Sequence, residues 1–139
     1  MKITYLSIAI FCCINLLSCD IEKNNTTNEL EKSVGMNDGK QLRHIVLFKF
    51  KDETTKAQVQ KVEAAFAELP QKIEEIKGFE WGLNNSPENL NKGFTHGFLL
   101  TFDSEEGRDI YLPHPDHKAF GKIVDPILED VFVLDYWTN

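Results

Sequence analysis

Tyr111, His114 and His117 fall within seven residues, and Pro113 and Pro115 bracket the first histidine. A phenol and two imidazoles at that spacing offer proton-transfer chemistry. A partly desolvated imidazole has a proton affinity tunable around neutrality. When neutral, it can take a proton from a carbon beside a carbonyl, while a tyrosine hydroxyl donates to the oxygen on which charge develops. His117 falls near the start of a helical pattern, on the face that carries Phe120 and Val124. Tyr111 closes the preceding helix, so a tight corner can bring Tyr111 and His117 to one pocket. The same residues also admit a structural reading. Tyr111 can fill the core, His114 can cap a helix at a proline corner, and His117 can bond a carbonyl.

The other two histidines sit in strand patterns. His44 alternates with Val46, Phe48 and Phe50, and His96 with Phe98, Leu100 and Phe102. His96 is expected to be packed in the core or at an interface. No metal site is expected: His114 and His117 supply two nitrogens, Asp116 points elsewhere on a helix, and zinc wants three or four placed ligands. No Gly-rich phosphate loop is present, and no cofactor is expected.

The elements that must hold these residues follow from periodicity. Leu42 to Phe50 alternates as a strand, with Arg43, Ile45, Leu47 and Lys49 on its second face. Thr55 with Gln58 fits a capping box. Val59, Val62, Phe66 and Leu69 follow at helical spacing, and Pro70 should end or bend that helix. A further turn should carry Ile73 and Ile76 inward. Phe79, Trp81 and Leu83 mark a second strand, residues 84–93 a loop, and Thr95 to Phe102 a third strand. Ser104 should cap a short helix through Leu112, with Glu105 and Glu106 in its first turn. Pro115 suits the first position of a third helix, whose end Pro126 should distort. Val131 to Trp137 reads as the last strand. This order predicts an α+β domain with helices on one face of an antiparallel sheet. Small or apolar residues on the second face want a partner, which a symmetric dimer would supply.

The chain of 139 residues has room for one domain. Lys2 and the largely apolar run from Ile3 to Leu17 suit a signal peptide over residues 1–18 and are short for a membrane span. Leu16-Leu17-Ser18-Cys19 resembles a bacterial lipobox, in which Cys19 would be acylated. All three cysteines lie at or before that point, so a domain beginning at Gln41 has no thiol and no disulfide framework. Residues 19–40 are polar and read as a tether from a membrane in the cell envelope, on its periplasmic or surface side. From Gln41 to Asn139, eleven Lys and Arg face seventeen Asp and Glu. That acidic balance argues against nucleic acid as a partner.

Three stretches carry a family resemblance: Arg43 to Phe50, Tyr111-Leu112-Pro113-His114-Pro115-Asp116-His117, and Val131 to Trp137. Together, in this order, they resemble the stress-responsive α/β-barrel dimer family (Dabb) over residues 41–138. The resemblance implies a ferredoxin-like sheet paired into a dimeric α/β barrel. It places His44 toward a cavity between sheet and helices, lined also by Phe48, Trp81, Tyr111, His114, His117 and Phe120. In the family's enzymatic branch, a plant polyketide cyclase, the Tyr and the last His of a Tyr-x-x-His-Pro-x-His run act as donor and base; Tyr111 and His117 match them. The expectation is a membrane-anchored homodimer that binds a small, mainly apolar molecule. Two alternatives stand beside it: a cyclase- or lyase-like enzyme, and a ligand-free structural dimer of a stress response.

Overall fold

The computed structural model describes residues 39–139. The expected signal peptide, Cys19 and nearly all of the expected tether lie outside the described residues.

Strand β1 (Leu42–Phe50) buries Leu42, His44, Val46 and Phe48 on one face, as its alternation predicts. Thr55 then starts helix α1 (Lys56–Ala67). Its hydroxyl accepts from the Gln58 amide, and the Gln58 side chain accepts from the Thr55 amide at 2.9 Å. Two of the helix's free amide donors are satisfied in this way. Helix α1 stops at Ala67, and a single turn, α2 (Leu69–Lys72), restarts the chain with Pro70 in its first positions. Proline has no amide to donate and tolerates only a helix start. Ile73 and Ile76 then turn inward and are buried.

Strands β2 (Gly78–Leu83) and β3 (His96–Phe102) follow. The Ser104 hydroxyl caps α3 (Glu105–Tyr111) by accepting from the Gly107 amide at 3.1 Å. Helix α4 (Pro115–Val124) begins at a proline and ends in a 3-10 turn, Asp125–Ile127, that contains Pro126. The last strand, β4 (Leu128–Trp137), starts three residues earlier than alternation suggests. Phe50 pairs with Leu128 across a register shift, and Lys51 donates to the Ile127 carbonyl, so backbone pairing extends the strand beyond its apolar run.

The sheet order is β2-β3-β1-β4, all antiparallel, with the helices packed on one face. This is a ferredoxin-like α+β fold. Its core is aromatic: Phe66 of α1 lies 4.3 Å from Phe98 and 4.5 Å from Phe120 by ring centroid. The other sheet face is bare. Ile45, Leu47 and Leu99 stand on it in line with Phe132, Leu134 and Tyr136, and those three β4 side chains are all more than two-fifths exposed. Among the described residues no helix is long and apolar enough to cross a membrane.

Candidate functional site

The corner between α3 and α4 sets the site. Tyr111 is the last residue of α3 and is buried. The His114 amide returns to the Tyr111 carbonyl at 3.0 Å, and the His114 Nδ1 accepts from the Asp116 amide to cap α4. Three residues into α4, His117 lies back over Tyr111, with ring centroids 4.3 Å apart.

The His117 Nδ1 sits 2.9 Å from the Leu112 carbonyl oxygen. A carbonyl only accepts, so Nδ1 carries the proton, and in the neutral ring Nε2 is left with a lone pair. Across the site, β1 supplies His44, whose register partner on β4 is Asp135. The His44 Nδ1 lies 2.6 Å from Asp135 Oδ1, and Arg108 of α3 donates to the other carboxylate oxygen at 3.0 Å. The His44 and Tyr111 rings meet edge to face at 5.9 Å.

Burial dominates the electrostatics. It drives the His44 pKa below its ordinary value, against the opposing pull of the Asp135 carboxylate. It also pushes the Tyr111 phenol far above its ordinary range, so Tyr111 is a donor and not an anion. Among the described residues, Tyr111 Oη, His44 Nε2 and His117 Nε2 have no hydrogen-bond partner, yet no polar side-chain atom is sealed off unpaired. All three therefore face accessible space.

That space is a cavity of about 580 Å³ between α4 and the β1–β4 half of the sheet. Val46, Phe48, Val131 and Val133 form its floor, with Phe120 and Val124 above. Exposed Lys118, Lys122 and Asp125 also border it. A second cavity, of about 610 Å³, lies against the bare sheet face between Leu47, Phe132 and Leu90. Asn84, Asn91, Lys92, Thr95 and His96 also line it, while Tyr111, His44 and His117 gather at the first.

The cavity brings together His44, Phe48, Tyr111, His117 and Phe120. Two other predicted residues stand apart. Trp81 lies on edge strand β2, stacked on Phe98 at 5.8 Å and on His96 at 6.4 Å. His114 is occupied as the α4 cap. His96 is packed on the helix side of the sheet, 3.1 Å from Glu63 of α1. Sequence reasoning missed Asp135 and Arg108. Asp135 shares its strand face with Val131 and Val133, and that alternation would have placed it beside the cavity once β4 was aligned on β1. Among the described residues no group of three or more His, Cys, Asp or Glu is placed to hold a metal.

The depressed His44 pKa has a stability consequence. The unfolded state binds more protons between the folded value and 6.5, so stability rises with pH across that window and is lost on acidification through it. Urea unfolding at several pH values should show this loss, at most about 1.4 kcal/mol per pH unit for one proton. The wild-type minus His44→Asn difference should carry the slope, and a flat difference would refute it.

A family model described as the stress responsive A/B barrel domain (Dabb) matches residues 42–138. A stress-response A/B barrel domain protein, HS1 of Arabidopsis thaliana, is 38% identical over 95 residues, covering 68% of this chain and 87% of the relative. Olivetolic acid cyclase of Cannabis sativa is 33% identical over 95 residues, covering 68% of this chain and 94% of the cyclase. Among solved structures, a hydroxynitrile lyase from Passiflora edulis superimposes with a TM-score of 0.67 at 30% identity, covering 71% of this chain and 94% of the lyase. A dimeric ferredoxin-like protein from Thermobifida fusca does so with a TM-score of 0.62 at 33% identity, covering 70% and 91%.

Proposed function

This chain belongs to the stress responsive A/B barrel domain family, and from that premise we propose that it is a lipid-anchored homodimer of the cell envelope that binds a small, mainly apolar molecule. The observation that carries the reading is the set of three polar atoms, on Tyr111, His44 and His117, unpartnered among the described residues, at a void lined mainly by Val, Phe and Leu side chains, with Lys118, Lys122 and Asp125 at its border. Ligand sites have this character: mostly apolar, with a few convergent polar groups that fix orientation. The bare second face of the sheet supports a dimer, as does the dimeric relative from Thermobifida fusca. The anchor rests on the Leu16–Cys19 motif and the polar stretch that follows it.

Native mass spectrometry of the full chain purified from its own host tests this. The expected species is a dimer with a lipid-modified Cys19 and one small molecule per protomer. The ligand should be absent when His117→Ala and Tyr111→Phe are combined. An empty wild-type dimer that also takes up none of its host's apolar metabolites would sink the ligand reading and leave the structural one. A Cys19→Ser chain that stays in the membrane fraction would sink the anchor.

A second reading adds catalysis, with His117 as base and Tyr111 as donor. The bond from His117 Nδ1 to the Leu112 carbonyl favours it, because it leaves Nε2 able to accept a proton inside the cavity. The cyclase and the lyase among the relatives give it support. If the bound molecule is turned over, His117→Ala should lower the rate by about 10²–10⁴, the usual share of general acid–base catalysis. Unchanged turnover would remove His117 from that role.

A further inference from the structure

We propose that Asp135 is a positioning residue that fixes His44 with its Nε2 lone pair toward the cavity, and that the head end of the cavity therefore takes a neutral hydroxyl group rather than a carboxylate. The second half rests on the ligand-binding reading above; the first does not.

The argument starts from which atoms can donate. An ionised carboxylate only accepts, so the bond of 2.6 Å between Asp135 Oδ1 and His44 requires the proton on Nδ1. The Arg108 guanidinium, 3.0 Å from Oδ2, aims the carboxylate. Arg108 lies on the same helix as Tyr111, three residues earlier, so one helix sets both the tyrosine and the carboxylate behind His44. Register alone places Asp135 opposite His44. The ring is wedged edge-on against Tyr111 and Phe102, at 5.9 and 6.3 Å, which leaves it little freedom to rotate.

Two imidazoles then face one void in the same tautomer, for different reasons: His117 is fixed by a neutral carbonyl, and His44 by a charged carboxylate. Their free atoms are both acceptors, and Tyr111 is the donor. A hydroxyl head can donate to one imidazole and accept from Tyr111. A carboxylate would meet two lone pairs, with the Arg108 cation already engaged by Asp135 and Asp109. The imidazole lone pairs give it no donor, and Lys118 and Lys122, which border the cavity, are exposed residues of α4, so a carboxylate drawn to their ammonium groups would leave this end of the site.

The test uses the full-length chain with 15N-labelled histidine. Ring-nitrogen shifts at a pH where the rings are neutral report the tautomer of each one. His44 should be held as Nδ1–H in the wild type and in Asp135→Asn, whose amide oxygen still accepts. In Asp135→Ala it should move toward the Nε2–H form that free imidazole side chains prefer. His117 should be unchanged in all three, which also reports an intact fold. A His44 tautomer unaffected by Asp135→Ala would overturn the positioning role.

Calorimetry with 4-hexylphenol and 4-hexylbenzoate addresses the head group. The phenol should bind at least tenfold more tightly than the benzoate, and Asp135→Ala should erase most of that preference. Equal or tighter benzoate binding would overturn the head-group assignment. Failure of both probes to bind would overturn it together with the ligand reading, while the tautomer shifts would still decide the role of Asp135.

Discussion

Phe66→Ala is expected to cost about 3–5 kcal/mol, the range for emptying a buried aromatic site. Phe66 is 1% exposed and its ring packs against Phe48, Phe79, Phe98 and Phe120 together. Those rings come from β1, β2, β3 and α4, so no single neighbour can relax into the space. Domains of this size are stable by roughly 5–15 kcal/mol, so the variant should retain little of that margin. Urea unfolding followed by the two tryptophans gives the number. A loss under about 1 kcal/mol would mean that the site collapses around the smaller side chain, and that the aromatic cluster is not the centre of the core.

The second large effect concerns the bare sheet face. Phe132→Lys should convert the dimer to a monomer, with association weakened by at least about a thousandfold, or roughly 4 kcal/mol. Phe132 pairs with Leu47 in the middle of that face, with Leu134 and Tyr136 beside it on the same strand. A lysine there would place an ammonium in the middle of the apolar row formed by Leu47, Phe132 and Leu134, where burying it against a second sheet is costly. In the monomer the same residue is nearly half exposed, so the fold itself should tolerate the change. Light scattering separates the two masses. A wild type that already runs as a monomer would contradict the dimer, and a dimeric variant would move the interface elsewhere.

Much of the fold was legible in short-range pattern. Alternation from Leu42 to Phe50, the Thr55–Gln58 box and Pro70 each act within a few residues, and each placed its element. The cavity was legible only in part, because it depends on register. Tyr111 and His117 are neighbours in sequence, so one corner brings them together. Asp135 and His44 are joined only by the pairing of β1 with β4, which no local spacing reveals. Trp81 erred in the other direction. It shares the helix-side face of the sheet with the cavity floor, but β2 and β4 form opposite edges, so the right face was still the wrong end.

The position of β1 also governs when this domain can form. Its central strand is the first element of the described chain, and its neighbour β4 is the last, with Leu42 opposite Trp137. A ribosome making the chain therefore releases the middle of the sheet long before one of its two flanks. Until Trp137 emerges, the β4 side of β1 has nothing to bond, and closing so wide a loop is slow compared with local helix formation. The unfolded interval is correspondingly long, and residues 42–50, which carry apolar side chains on both faces, are the segment a chaperone would find exposed throughout it.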